Sequence, residues 1–277
     1  MVCLVLFEAS ILKTLLTFIP TFSILKDNPI VEVRNLTKVF DGFIAVDNIS
    51  FHLYPAEIVG LLGPNGAGKT TILQMMLGTL TPTSGSVKIF GLDLKREREE
   101  ILSRINFSSA YTSMPMSLTV WENLRVFATL YGIKNYMAKI EEVMQLFELS
   151  NLKNKLTETL SSGQLTRLSL AKAFLNDPQI LFLDEPTISL DPDIADKTRT
   201  ILKKGRDKTN LTILYTSHNM KEMEEMCNRI IFLHKGRIIA EGSPKEILRQ
   251  FQKDHLEALF LKIASPSSAV CHKILDF

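Results

Sequence analysis

Short runs of consecutive apolar residues alternate along this chain with stretches in which apolar residues recur every three or four positions. This is the pattern of buried parallel strands separated by amphipathic helices. Glu57 to Leu62 (E-I-V-G-L-L), Ile180 to Leu183 (I-L-F-L) and Leu211 to Tyr215 are the runs suited to buried strands. Lys69 to Leu80 and Met220 to Met226 have helical spacing, as does Leu118 to Leu149, where Trp121, Leu124, Phe127, Leu130, Val143, Leu146 and Phe147 mostly mark a core. Ile30 to Leu36 alternates as a strand with one exposed face, and Ser86 to Phe90 with Gly91 reads as another, which together predict a small antiparallel sheet. Arg229 to Glu241 predicts two strands around His234-Lys235-Gly236-Arg237, a hairpin with glycine in its turn. A last helix is predicted from Pro244 to about Phe260, and Ser265-Pro266-Ser267-Ser268 marks the loop into a short tail.

Composition narrows the class. At 277 residues the chain has room for roughly two domain units and a substantial core. A net charge of +2, with 22% charged residues interspersed, gives no nucleic-acid footprint. The mixed-sign run Lys95 to Glu100 reads as a solvated helix start. Cys3, Cys227 and Cys271 show no metal-ligand spacing, and free thiols in a reduced, cytosolic setting follow. Met1 to Leu25 is mostly apolar but carries Glu8, Lys13 and Pro20, so it does not read as a membrane span, and it lacks the basic start and cleavage site of a secretory signal. Three readings stand for it: a membrane-surface or partner-binding segment, a disordered extension, or a start placed too far upstream. The last two are favoured.

The chemistry begins at Gly63-Pro64-Asn65-Gly66-Ala67-Gly68-Lys69-Thr70-Thr71, which satisfies G-x-x-x-x-G-K-[ST] between a predicted strand and a predicted helix. Glycines lack a Cβ, so this backbone can turn tightly and aim N–H groups at phosphate oxygens, helped by the positive end of the following helix. Lys69 is then expected to neutralise terminal phosphates, and the Thr70 hydroxyl to ligate Mg²⁺. The motif predicts a bound nucleoside triphosphate.

Ile180-Leu181-Phe182-Leu183-Asp184-Glu185 adds two acids to the carboxyl end of a buried strand, the edge that faces the phosphates in a P-loop fold. Asp184 is the candidate for holding Mg²⁺ through water, and Glu185 for orienting or deprotonating the attacking water. Taken alone, the pair is equally compatible with a strand running into a helix N-cap.

Leu160-Ser161-Ser162-Gly163-Gln164 lies between the two motifs, and with it the chain resembles the ATP-binding subunit of an ABC transporter, whose signature is usually L-S-G-G-Q. Phe40, Leu118-Thr119-Val120-Trp121-Glu122-Asn123-Leu124, Glu185-Pro186-Thr187, Ser189-Leu190-Asp191 and His218 follow in the family's order, so the resemblance spans roughly Ile30 to Ile263. It implies an α/β P-loop NTPase core with a small antiparallel β subdomain and a helical signature subdomain. The implied division is an extension over 1–28, an ATPase domain over 29–263 with its helical part at about 115–176, and a tail over 264–277. By the same resemblance, Phe40 stacks on adenine, and Ser161, Gly163 and Gln164 cap the γ-phosphate of ATP on an opposite subunit. Asp191 communicates across that dimer, and His218 hydrogen-bonds the γ-phosphate. The implied partners are a second ATP-binding subunit and an integral membrane permease encoded separately, contacted around Tyr111 to Asn123. The implied place is peripheral, on the cytoplasmic face of the membrane.

Departures sharpen the expectation. Ala110 occupies the place of a family glutamine, and a methyl group neither ligates Mg²⁺ nor holds a water. Asn106, Ser109 and Tyr111 are the polar neighbours that stand as substitutes. Ser162 for Gly and Ala56 for Gly add little bulk, and the retained Glu185 argues for hydrolysis. The expected function is an ATPase subunit of a transporter, more like the export branch. Two rivals stand beside it, a non-hydrolysing partner in an asymmetric dimer and a soluble ABC protein not tied to transport.

Overall fold

The structure, a computed structural model, describes residues 28–109, 114–217 and 219–264. Two sheets organise them. One is antiparallel, in the order β2-β1-β4-β5, from β1 (Val31–Phe40), β2 (Phe43–Leu53), β4 (Ser84–Ile89) and β5 (Leu92–Asp93). The other has the order β10-β9-β3-β8-β7-β6, from β3 (Ile58–Leu62), β6 (Ile105–Ser109), β7 (Ile180–Asp184), β8 (Thr212–Thr216), β9 (Arg229–His234) and β10 (Arg237–Gly242). Strands β9, β3, β8, β7 and β6 of this sheet are parallel, and β10 closes its edge antiparallel.

The apolar runs build the central sheet because both of its faces are covered. Along β7, Ile180 and Phe182 enter one core cluster while Leu181 and Leu183 enter the other, and β9 divides Ile231 and Leu233 from Ile230 and Phe232 in the same way. On one face, helix α1 (Lys69–Met76) sends Ile72, Leu73, Met75 and Met76 into a core shared with Val31, Val33 and Phe51 of the antiparallel sheet. On the other face lie α3 (Val120–Leu130), α4 (Tyr136–Leu146) and α5 (Ser162–Ala173). The short α2 (Arg98–Ser103) precedes β6, and α6 (Pro192–Thr209), α7 (Met220–Met226), α8 (Pro244–Phe251) and α9 (Leu256–Ala264) complete the described α-helices. No helix among the described residues is long and apolar enough to cross a membrane.

Three predicted helices are shorter or broken. Lys69 to Leu80 ends at Met76, since Gly78 takes φ +65° and turns the chain out of the helix. Leu118 to Leu149 divides into α3 and α4 around Gly132, at φ +67°. The last predicted helix divides into α8 and α9 where Gln252 adopts φ +53°. The Lys235-Gly236 hairpin turn forms as its glycine predicts, with both residues at positive φ. Met1 to Leu25, Cys3, Ala110, Tyr111, His218, Cys271 and the Ser265 to Ser268 loop lie outside the described residues.

The family-like L-T-V-W-E-N-L stretch has a structural reason. Thr119 and Glu122 form a capping box at the start of α3, with the Glu122 N–H donating to Thr119 Oγ1 at 3.2 Å and the Thr119 N–H donating to Glu122 Oε2 at 2.8 Å. The Thr119 N–H and hydroxyl bonds hold the Glu122 carboxyl below the usual carboxylate range. Asn123, fully buried, donates to Thr157 Oγ1 at 2.8 Å and to the Pro115 carbonyl at 2.9 Å. That tie fastens α3 to the segment leading into Ser161.

Candidate functional site

Helix α1 starts differently from α3, α5 and α8, each of which opens on a capping box. Its N-cap is Gly68 at φ +103°, and among the described residues it has no side-chain cap hydrogen bond. The N–H groups of that turn, with the dipole behind them, are therefore left for an anion. Two glycines of the loop are required by close approach: a Cβ on Gly63 would fall 2.4 Å from the Leu233 carbonyl oxygen, and one on Gly68 would fall 2.7 Å from that of Ala45. The hairpin turn buttresses the loop from behind, since the Gly236 N–H donates to the Ala67 carbonyl at 3.1 Å. The Lys69 ammonium reaches back to the Gly63 carbonyl at 2.5 Å and to that of Pro64 at 3.1 Å. Burial lowers its pKa, opposed by the charges of Glu185 and Asp184.

One cavity of about 880 Å³ gathers Asn65, Gly66, Gly68, Lys69, Thr70 and Thr71 from the loop with Asp184 and Glu185 from the end of β7. Gly63, Pro64 and Ala67 are not among the lining residues, and Gly63 and Ala67 are buried. Phe40 closes the cavity at the tip of the β1–β2 hairpin, and Phe43 stands beside it. Ser109, paired in register with Asp184, also lines the cavity, as does Phe107.

The two acids are held by their neighbour strand. The Thr216 hydroxyl donates to Asp184 Oδ1 at 2.7 Å, and the Glu185 N–H donates to Thr216 Oγ1 at 3.1 Å and to the Thr216 carbonyl at 3.2 Å. Glu185 itself is buried and sits at φ +53°. The left-handed region is costly for a residue with a side chain, so surrounding bonds must hold it there.

The donor set suits Mg²⁺. The Thr70 hydroxyl and Asp184 carboxylate are hard oxygen donors on one cavity, and no cluster of three or more His, Cys, Asp or Glu that could cage a metal occurs among the described residues. Mg²⁺ prefers this arrangement of one or two protein oxygens completed by water and phosphate.

Ser161, Gly163 and Gln164 stand elsewhere. Ser161 caps α5 reciprocally with Gln164, at 3.3 Å and 3.1 Å, and none of the three is among the described residues lining the phosphate-loop cavity. Gln164 and Asp191 share a separate cavity of about 570 Å³ with Arg167. Gly163 packs against the segment that follows Glu185, where an added Cβ would lie 2.9 Å from the Ser189 carbonyl oxygen.

Comparison with known proteins agrees with this geometry. Residues 46–188 match the family model described as ABC transporter. The chain belongs to the ABC transporter family. The Nod factor export ATP-binding protein I of Cupriavidus metallidurans is 36% identical over 226 residues, covering 79% of this chain and 73% of the relative. The "Probable multidrug ABC transporter ATP-binding protein YbhF" of Escherichia coli K12 is 36% identical over 81% of this chain, which spans 39% of that relative. A solved ATP-binding subunit of an ABC transporter superposes with TM-score 0.76 at 26% identity, covering 85% of this ABC ATPase and 100% of its own chain. The dimeric post-hydrolysis cassette MJ0796 with ADP and Pi gives 0.70 at 25% identity, covering 77% of this chain and 98% of its own. This ABC transporter subunit is an ATP-binding, ATP-hydrolysing protein with the expected P-loop architecture.

Sequence reasoning did not reach Phe43, Gln74, Thr79 or Phe107 of the lining. Phe43 carried a signal: Asp41-Gly42 is a two-residue hairpin turn, with both residues at positive φ, and it sets Phe43 opposite Phe40. The others reach the cavity through helix packing and strand order, which no local pattern records.

Proposed function

We propose that this subunit powers export through a separately encoded integral membrane permease, from the cytoplasmic face of the membrane. The carrying observation is the meeting of Lys69, Thr70, Asp184 and Glu185 in one cavity. In this reading the loop N–H groups and Lys69 bind the ATP phosphates, Phe40 stacks on adenine, and Glu185 takes the proton of the attacking water. Thr70 and Asp184 would hold Mg²⁺, which supplies neutralisation of charge on the phosphate oxygens. Ser161, Gly163, Gln164 and Asp191 serve a second copy's nucleotide, and their position away from this copy's cavity supports a head-to-tail pair. His218 is assigned to the γ-phosphate on the family pattern alone. Export is supported by the Nod factor export relatives.

ATP hydrolysis by the full chain and its Glu185→Gln variant, with any copurifying membrane protein, is the test. Turnover in the wild type that is lost in Glu185→Gln, together with ATP-dependent dimers of that variant, is the expected result. Binding without turnover in the wild type would make the chain the non-hydrolysing half of an asymmetric pair.

A further inference from the structure

Glu222 is a buried carboxylate, 3% exposed, in the first turn of α7. It lines no part of the ATP cavity, yet three chain segments converge on it. Thr187 donates its hydroxyl to both carboxylate oxygens, at 3.0 and 2.9 Å. Ser217 donates its hydroxyl to Oε2 at 2.8 Å, and Arg199 of α6 reaches Oε1 at 3.3 Å. The Glu222 N–H is itself capped by Asn219 Oδ1 at 3.1 Å. Fold stability does not by itself explain this concentration, because a buried ion pair is on average no better than well-packed apolar groups.

The chain path gives the reason. Thr187 follows Glu185 by two residues, and Glu185 is held at φ +53°. Upstream, Thr216 secures the Glu185 N–H. Downstream, Pro186 has no N–H, and the Ile188 N–H donates to the Glu185 carbonyl at 3.4 Å. The Thr187 hydroxyl anchors the chain two residues after the bend, and its acceptor is Glu222. The same carboxylate holds Ser217, directly after Thr216, so a single group clamps both sides of the Glu185 backbone.

We propose that Glu222 is a positioning residue for hydrolysis: by accepting from Thr187 and Ser217 it fixes the left-handed backbone that aims Glu185 into the ATP cavity. The inference rests on the reading of Glu185 as the group that activates water. Glu222 is not among the residues that line the ATP cavity. Loss of its grip is expected to reduce the rate of the chemical step and to leave nucleotide affinity nearly intact, since the phosphate loop packs closely on Leu233 and Ala45 and is bonded by the Gly236 N–H, none of which involves Glu222.

The experiment uses the full chain as wild type, Thr187→Val, Thr187→Ser, Glu222→Gln, the Thr187→Val/Glu222→Gln double variant and Glu185→Gln. Turnover, affinity for a fluorescent ATP analogue and thermal midpoint are measured for each. Thr187→Val is expected to lower kcat about tenfold or more, the size of a lost hydrogen bond to a charged group, with affinity within about threefold. Thr187→Ser recovers most of the lost rate. The double variant falls no further than the worse single, because the two residues act through one contact. A Thr187→Val rate within about threefold of wild type, while Glu185→Gln is inactive, overturns the inference alone. A rate loss matched by equal losses of affinity and thermal midpoint overturns it as well, showing a structural role only. Wild-type turnover in Glu185→Gln overturns both the role of Glu185 and the inference built on it.

Discussion

Thr216 and Asp184 end neighbouring parallel strands in register, and the Thr216 hydroxyl donates to Asp184 Oδ1 at 2.7 Å while accepting the N–H of Glu185 at 3.1 Å. One hydroxyl thus orients the candidate metal ligand and pins the backbone of the candidate base. Thr216→Val keeps the shape of the side chain and removes both bonds. Turnover is expected to fall about tenfold, and the Mg²⁺ concentration giving half-maximal rate to rise. A magnesium titration of ATPase activity checks this; superimposable curves for variant and wild type would show that the hydroxyl is dispensable.

Phe40 and Phe43 face the same cavity from the two strands of one hairpin, and both are substantially exposed, at 42% and 66%. Large exposed aromatic rings at the mouth of a nucleotide cavity are suited to stack on a base. Alanine at a stacking position costs about 1–3 kcal/mol in nucleic-acid complexes. Phe40→Ala is accordingly expected to weaken ATP binding about tenfold or more, and Phe43→Ala to weaken it by a smaller factor. Comparison with inorganic triphosphate isolates the base: affinity for triphosphate should be the same in all three proteins.

Gly163→Ala sets two effects of similar size against each other. Alanine is favoured over glycine inside a helix by about 1 kcal/mol, but its Cβ would press on the Ser189 carbonyl oxygen, 2.9 Å away, and overpacking of this kind costs about 1–3 kcal/mol. Net stability should move by no more than about 2 kcal/mol. Function has no such offset, because the displaced backbone lies between Glu185 and Asp191. Urea unfolding together with turnover separates the two: a large rate loss with a small shift in midpoint is expected, and an unchanged rate would dismiss the contact.

The loop Gly63 to Thr71 and the pair Asp184-Glu185 were legible because their chemistry depends on local backbone geometry, which fixes residue types at fixed spacing. Strands β3, β7 and β8 were legible for a related reason, since a strand covered on both faces has little room for polar residues. Strand β6 was missed: three of the five residues in its sequence Ile-Asn-Phe-Ser-Ser are polar, and it is buried because Ser108 pairs with Ser169, at 2.9 Å, and Asn106 with Asn176, at 2.8 Å. Those partners are 61 and 70 residues away, beyond the reach of a periodicity argument. Glu222 is hidden in the same way. Locally it is an acid in a helical first turn, and only the fold brings Thr187 and Arg199 to it.

Lys172 carries the pH dependence most open to measurement. Its ammonium is buried at the end of α5, where it meets the Phe107 carbonyl at 2.6 Å, Asn106 Oδ1 at 3.4 Å and the ring of Phe127, all neutral groups. Tyr131 approaches the same Asn106 oxygen through its hydroxyl. Burial without a countercharge lowers the Lys172 pKa from 10.5 to about 8. Below pH 8 both folded and unfolded chains hold the proton, so the folded state bears the full cost of burying the charge. Between about pH 8 and 10.5 the unfolded chain binds more protons than the folded one, and this site's contribution to stability rises with pH. Lys172→Met removes the titration while keeping most of the volume, and its loss of the bond to Phe107 is nearly independent of pH. The stability of the variant relative to wild type should therefore fall by about 2–3 kcal/mol on going from near pH 7 to near pH 10. Urea unfolding of both proteins across that range checks it. A difference that stays flat with pH would mean that Lys172 keeps an ordinary pKa, and that water or a carboxylate reaches it in solution.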